Sequence, residues 1–151
     1  MREPKSKSDT FISRVKKWFF DALRTHSIYS LKKTLLVTDD DKVVGDTVEA
    51  CLRVEGYDIF RAGTGDEAVY IARSQRPDLI ILDLMMPKMN GWDTCKVLKG
   101  DARTRAIPLI IMSGLSLMGD SEKAFEAGAA DFLNKPFDRE ELIQKVRKWL
   151  S

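Results

Sequence analysis

The chain has 151 residues, 44% of them hydrophobic and 32% charged, with a formal net charge of +2. These values are typical of a globular protein with one domain and a short appendage. No apolar run reaches the ~18 residues of a membrane-spanning helix, so we expect neither a membrane span nor a signal peptide. The two cysteines have no metal-ligand or redox spacing. We therefore expect reduced thiols in a cytoplasmic protein.

The net charge is unevenly distributed along the chain. Residues 1–33 contain nine Lys or Arg against three Asp or Glu, whereas residues 34–151 contain sixteen against twenty. A basic segment joined to an acidic one indicates two parts with different tasks. We predict a basic helical extension with its linker over residues 1–30, and a globular domain over residues 31–151.

The basic extension has the pattern of an amphipathic helix. Its apolar residues recur at steps of three and four: Phe11, Ile12, Val15, Trp18, Phe19, Ala22 and Leu23. Three interpretations of this apolar face remain open. It packs on the globular domain or on a second copy, it docks to a partner protein, or residues 9–25 lie on an anionic membrane surface. His26, near the helix C-terminus, carries a favourable charge there when protonated.

Apolar segments and helical patterns alternate from Thr34 onward. The five predicted strands are residues 35–37, 57–61, 79–82, 108–112 and 131–133. Four apolar residues in a row at 79–82 suit a strand that is buried on both faces of a parallel sheet. Five strands that alternate with five helices through short loops predict a doubly wound parallel α/β sheet.

Two helix starts have the spacing of a capping box, in which an N-cap side chain and an acid three positions later bind each other's backbone N–H. Thr64 with Glu67 marks the second helix of the domain, and Asp138 with Glu141 marks the last one. We expect both pairs to make these bonds.

Polar residues follow four of the predicted strands at their C-terminal ends: Asp39 and Asp40, Asp83, Ser113 and Lys135. Because these ends meet at one edge of a parallel sheet, we expect the five side chains to lie together where ligands bind. Three carboxylates repel one another unless a cation lies among them, and oxygen ligands suit Mg²⁺ or Mn²⁺. With a hydroxyl and an ammonium added, the set is suited to stabilise a phosphoryl group in transfer.

These residues lie in motifs that resemble the receiver domains of two-component response regulators, the CheY-like family. The resemblance covers about residues 34–150 and rests on four motifs: Asp39-Asp40, Asp83 with Met86-Pro87-Lys88-Met89-Asn90-Gly91, Ser113-Gly114, and Lys135-Pro136-Phe137. It implies a flavodoxin-like sheet with strand order 2-1-3-4-5. It also implies a signalling phosphoacceptor rather than an enzyme. Asp83 would accept the phosphoryl group from a histidine kinase, a histidine phosphotransfer protein or a small phosphodonor.

The resemblance also assigns the metal ligands. Asp40 would bind Mg²⁺ directly and Asp39 through water, with Asp83 and the backbone carbonyl of Met85 as further ligands. Lys135 would pair with the phosphoryl oxygens.

A switch is implied by the same resemblance. Phosphorylated Asp83 would draw in the hydroxyl of Ser113 and pull on the loop after the fourth strand. Phe132 on the fifth strand would then rotate inward, and the neighbouring surface would change shape for a downstream protein partner. A cis peptide bond is expected before Pro136.

Two positions depart from the common family pattern. Met85 and Leu115 are apolar where family members commonly carry polar side chains, two positions after the phosphoacceptor and two after the switch hydroxyl. Neither side chain can hydrogen-bond an attacking water, so we predict slow self-dephosphorylation.

The expected output is a protein–protein contact, because no effector segment follows the last predicted helix. We expect no nucleic acid partner, while a homodimer through the basic extension stays open. Two other functions remain as alternatives. An aspartate-nucleophile phosphatase uses similar groups but carries a second Asp where this chain has Met85. A pseudo-receiver would bind partners without phosphorylation, although such proteins usually lose one of the acidic residues.

Overall fold

The computed structural model describes residues 14–17, 31–114 and 119–151. The chain divides into two units, Met1–Lys32 and Lys33–Ser151. In the first unit, residues 14–17 are helical and exposed. The rest of the predicted N-terminal helix, together with His26 and Leu115, lies outside the described residues. None of the helices within the described ranges has the length and hydropathy needed to cross a bilayer.

The unit Lys33–Ser151 alternates strands and helices along its whole length. The elements are β1 (Thr34–Thr38), α1 (Lys42–Val54), β2 (Asp58–Ala62), α2 (Gly65–Gln75), β3 (Leu79–Asp83), α3 (Gly91–Gly100), β4 (Leu109–Ser113), α4 (Asp120–Glu126), β5 (Asp131–Asn134) and α5 (Arg139–Leu150). All neighbouring strands pair in parallel, in the order β2-β1-β3-β4-β5. The predicted fold class and strand order are confirmed, with β3 at the centre of the sheet.

The core has two layers because successive strand side chains point to opposite faces of the sheet. On β3, Ile80 and Leu82 belong to the cluster that packs against α2, α3 and α4. Leu79 and Ile81 belong to the cluster that packs against α1 and α5. Every residue of β3 is buried, which is why this strand reads as an unbroken apolar run.

At both predicted capping boxes the N-cap side chain accepts the expected N–H, but neither return bond forms as predicted. Thr64 accepts the N–H of Glu67 at 3.2 Å, as predicted. The carboxylate of Glu67, however, accepts the N–H of Gly63 at 2.9 Å, one residue before the predicted partner. At α5, the carboxylate of Asp138 accepts the N–H of Glu141 at 2.8 Å. The first capping box is therefore wrong in its return bond, because the glutamate reaches further back along the loop. The second is wrong in the same respect, because the carboxylate of Glu141 does not accept the N–H of Asp138.

Candidate functional site

The site lies at the C-terminal edge of the sheet, on the side covered by α1 and α5. Near the C-terminal ends of three strands, one residue packs toward these two helices: Val37 on β1, Ile81 on β3 and Leu133 on β5. Because strand side chains alternate, the residues two positions further on project to the same side. These three residues are all charged: Asp39, Asp83 and Lys135. Strand alternation thus brings together side chains that are 96 residues apart in the chain.

Lys135 bridges the two buried carboxylates. Its Nζ lies 2.9 Å from Oδ2 of Asp39 and 3.2 Å from Oδ2 of Asp83. Asp39 and Asp83 are 2% and 3% exposed. Their other oxygens accept backbone N–H groups, Asp39 from Asp41 at 2.9 Å and Asp83 from Met85 at 3.1 Å. These contacts fix both carboxylates.

The charges in the site shift the affinity of its groups for protons. Burial raises the pKa of Asp83 to about 6, and the nearby charge of Asp39 adds to this, while the N–H of Met85 and the ammonium of Lys135 act in the opposite direction. Burial alone would lower the pKa of Lys135, but its bonds to the two carboxylates raise it overall. Asp83 is therefore a buried carboxylate whose pKa is raised even though the ammonium of Lys135 lies beside it.

A third carboxylate completes an acidic cluster. Asp40 is exposed, and one oxygen each from Asp39, Asp40 and Asp83 lie within 4.8 Å of one another. Carboxylate oxygens at this spacing suit a hard divalent cation such as Mg²⁺, which keeps several waters and accepts phosphate oxygens as further ligands. The donor set therefore fits the ion that the sequence predicted.

The remaining predicted residues, Ser113 and Phe132, lie on β4 and β5, the two strands that follow β3 in the sheet. Ser113 is the buried last residue of β4, and its carbonyl accepts the N–H of Lys135 at 2.8 Å. Its side chain follows the opposite face of the sheet, where it lines a cavity of about 280 Å³ together with Met85. Phe132 is 9% exposed and packs in the cluster against α2, α3 and α4. The expected cis peptide bond is present between Lys135 and Pro136.

One residue that supports the site was missed as such in the sequence. Gly91 begins α3, and a Cβ atom there would lie 2.4 Å from the carbonyl oxygen of Asp83 and 2.5 Å from Cα of Leu84. The N–H of Gly91 donates to the carbonyl of Leu84 at 3.0 Å. The loop after Asp83 can close onto the strand only because this position lacks a side chain. In the sequence, Gly91 appears only as the last residue of one motif on which the family resemblance rests, with no structural role attached to it.

Comparison with known proteins identifies the family. Residues 35–147 match the family model of the response regulator receiver domain. The chain belongs to this family. Among curated relatives, the DNA-binding dual master transcriptional regulator RpaA of Synechocystis is 40% identical over 116 residues, which are 77% of this chain and 48% of RpaA. The chain spans about half the length of the curated relatives it matches.

Solved structures give the same result for the receiver fold. The chemotaxis response regulator CheY4 of Vibrio cholerae has a TM-score of 0.74 at 27% identity, covering 79% of this chain and 99% of CheY4. The receiver domain of the sensor histidine kinase PA1611 from Pseudomonas aeruginosa has a TM-score of 0.74 at 32% identity. The match covers 79% of this chain and 98% of the PA1611 receiver. That structure has a magnesium ion coordinated in its active site cleft.

Proposed function

We propose that this receiver accepts a phosphoryl group on Asp83 in a two-component phosphorelay, and that phosphorylation changes a surface that a downstream protein binds. The observation that carries the proposal is the arrangement around Asp83. Three carboxylates lie within 4.8 Å of one another, and the ammonium of Lys135 is 3.2 Å from Asp83. This combination of charges suits the stabilisation of a phosphoryl group in transfer.

The chemistry follows from the atoms at the site. A carboxylate oxygen of Asp83 attacks phosphorus, and the bond from phosphorus to the donor breaks with its electron pair leaving on the donor. The donor is an imidazole nitrogen of a histidine kinase or phosphotransfer protein, or the acetate oxygen of acetyl phosphate. Lys135 is placed to pair with the phosphoryl oxygens. Asp39, Asp40, Asp83 and the carbonyl of Met85 would hold Mg²⁺ or Mn²⁺, which neutralises phosphoryl charge when bound.

The proposed switch uses Ser113 and Phe132. Both lie on the side of the sheet that faces α2, α3 and α4, on neighbouring strands of that face. The hydroxyl of Ser113 would donate to a phosphoryl oxygen and draw the end of β4 toward Asp83. Phe132 would then move into the space that this opens, without burying a polar group.

An apolar groove next to the site, the phosphodonor groove, offers a binding surface to a protein that donates the phosphoryl group. The groove has a volume of about 410 Å³ and is lined by Val43, Val44, Thr47, Lys135, Pro136 and Phe137. Val43 is 74% exposed and lies beside Pro136 and Phe137 in this groove. A contiguous apolar patch of this kind is typical of a surface that a partner protein binds. We therefore place the histidine-bearing phosphodonor protein on this groove, where its imidazole can approach Asp83.

The direct test is phosphorylation by acetyl phosphate in the presence of Mg²⁺. Intact mass spectrometry should show one added phosphoryl group on the wild type and none on Asp83→Ala, and hydroxylamine should remove it because it is an acyl phosphate. Asp93→Asn, which alters an exposed acid on α3, is the matched control and should react like the wild type. The absence of any adduct on the wild type would favour a pseudo-receiver.

The donor surface is tested with a matched pair of valines on α1. Val43 and Val54 are 74% and 77% exposed, at opposite ends of the helix. With a phosphotransfer protein selected from a kinase screen, Val43→Gln should slow phosphoryl transfer at least about fivefold, as expected for losing one apolar contact. Val54→Gln should not. Neither change should alter the reaction with acetyl phosphate, and equal effects of both would rule out this groove.

A further inference from the structure

A second groove lies between α3 and α4, on the other side of the sheet from the phosphodonor groove. It encloses about 470 Å³ and is lined by Trp92, Lys96, Lys123, Glu126 and Ala127. Trp92 and Ala127 pack against the buried cluster on this side of the sheet. This surface, the α3–α4 groove, therefore has an apolar floor and a charged rim.

The lining of the α3–α4 groove includes three groups that can donate hydrogen bonds. Within the described part of the chain, Nε1–H of Trp92 and the ammonium groups of Lys96 and Lys123 have no partner. The other described tryptophan differs, because Nε1–H of Trp149 donates to Asp131 at 3.0 Å. Among the described residues of the lining, Glu126 is the only acid, so the two lysines leave an excess of positive charge and of donors.

We propose that the α3–α4 groove binds an acidic segment of a partner protein. Carboxylates of the segment would accept from Lys96 and Lys123, and an apolar side chain between them would lie on the ring of Trp92. Charge complementarity favours this occupant on a chain whose globular part is otherwise acidic. Two lysines and one glutamate give too little positive charge for a nucleic acid backbone.

The groove is also connected to the phosphoryl site. Trp92 and Lys123 line the cavity of about 280 Å³ to which Ser113 and Met85 contribute as well. The cavity is also lined by Leu84 and Met85, which directly follow Asp83 in the chain, so a phosphoryl group on Asp83 adds negative charge next to it. We expect this charge to lower the affinity for an acidic segment by about threefold. This coupling, unlike the binding itself, rests on the proposed function.

The binding is tested by following the three tryptophan indole N–H signals by NMR. The probe is a blocked hexapeptide of alternating Asp and Leu, and the control is the same peptide with Asn for Asp. Trp92→Phe assigns the signal of Trp92. We expect the acidic peptide to shift that signal and to leave the signal of Trp149 in place. An equal response to the Asn peptide, or no shift of the Trp92 signal, would overturn the proposal.

A pair of lysine variants tests the role of charge. The double variant Lys96→Gln with Lys123→Gln should bind the acidic peptide at least about fivefold more weakly, since two charge-assisted contacts are lost. Lys42→Gln is the matched control, because Lys42 is an exposed lysine on α1, across the sheet. All three positions are exposed, so the variants should fold normally. Unchanged affinity in the double variant would overturn the proposal.

The coupling is tested by repeating the titration on protein phosphorylated by acetyl phosphate, with the adduct verified by mass. An affinity about threefold lower supports the coupling. Equal or higher affinity with a verified adduct overturns the coupling and leaves the binding result standing. Failure to form any adduct overturns the proposed function and the coupling together, while the peptide titration of the unmodified protein is unaffected.

Discussion

At the scale of single residues, Asp83 is charged at neutral pH in a place where burial favours its protonated form. Its pKa is raised from 3.8 to about 6, first by burial and then by the charge of Asp39. The folded protein therefore binds a proton more readily than the unfolded chain between about pH 4 and pH 6. Stability falls as pH rises through this window, and the full penalty applies above it.

We predict that Asp83→Asn stabilises the protein at about pH 7 by roughly 2–3 kcal/mol. The amide removes the buried charge but keeps an oxygen for the N–H of Met85, and Lys135 keeps its partner Asp39. Urea unfolding at about pH 7 and about pH 4 measures the effect. The gain should be nearly absent at the lower pH, where the wild-type carboxyl is protonated when folded.

Two controls accompany this prediction. Asp93→Asn changes an exposed acid of the same charge and should alter the free energy of unfolding by less than about 0.5 kcal/mol. Addition of Mg²⁺ should stabilise the wild type more than Asp83→Asn, because the cation relieves the same repulsion. A variant no more stable than the wild type at neutral pH would contradict the argument.

Met85 leads to a prediction about the lifetime of the phosphorylated form. Its exposed side chain stands two positions after Asp83, where it cannot orient an attacking water by hydrogen bonding. We predict that Met85→Asn loses the phosphoryl group at least about tenfold faster than the wild type, whereas Met85→Leu does not. The decay is followed by mass spectrometry in Mg²⁺ after removal of acetyl phosphate. A wild-type half-life of seconds would show that the apolar side chain does not protect the adduct.

At the scale of elements, the contact between β3 and the start of α3 holds the phosphoacceptor loop. We predict that Gly91→Ala destabilises the protein by about 1–3 kcal/mol, because its methyl group would meet the backbone of Asp83 and Leu84. Gly100→Ala, in the last position of the same helix, has no atom within 4 Å of the new Cβ. It should stabilise the helix by up to about 1 kcal/mol.

Thermal and urea unfolding of the two variants provides the comparison. Phosphorylation adds a second measurement, because a shifted loop displaces the N–H of Met85 from Asp83. Gly91→Ala should therefore also react more slowly with acetyl phosphate, whereas Gly100→Ala should react normally. Equal stability of the two variants would mean that the loop can move away from the strand at little cost.

The elements themselves could be predicted from the sequence because each has a local signal. The apolar run at 79–82 identified the central strand, and the residue after it was placed at the correct edge because parallel strands end together. The common side of Asp39, Asp83 and Lys135 also follows from strand alternation. These inferences need only periodicity and the rules of parallel sheets.

Features that depend on contacts between different elements or loops could not be predicted in the same way. The close contact of Gly91 with Asp83 depends on the path of a loop, for which the sequence gives no distance. The phosphodonor groove joins Val43 on α1 to Phe137 after β5, and no pattern links two positions so far apart. The carboxylate of Glu67 accepts from Gly63 rather than from Thr64. The spacing in the sequence does not decide between two N–H groups that are adjacent in the chain.

At the scale of the whole molecule, the chain combines a basic segment with an acidic receiver. Residues 1–33 hold an excess of basic residues, while residues 34–151 hold an excess of acidic ones. Residues 14–17, which include two adjacent lysines, are helical and exposed. The compact unit that contains the receiver begins at Lys33, and its first strand begins at Thr34. Residues 1–30 can therefore be deleted without removing any strand or helix of the receiver.

We predict that residues 1–30 serve as a dimerisation or anchoring element, so that their deletion removes an association that the full chain shows. Sedimentation measures self-association, and vesicles of phosphatidylserine and phosphatidylcholine measure membrane binding.

Lys16→Gln with Lys17→Gln separates the two roles. Each lost charge should weaken vesicle binding by about 1 kcal/mol, whereas a dimer held by the apolar stripe should persist. If residues 31–151 match the full chain in oligomeric state, vesicle binding and partner binding, the segment has neither role. Phosphorylation of Asp83 by acetyl phosphate should be equal in both forms, because every site residue lies beyond residue 38.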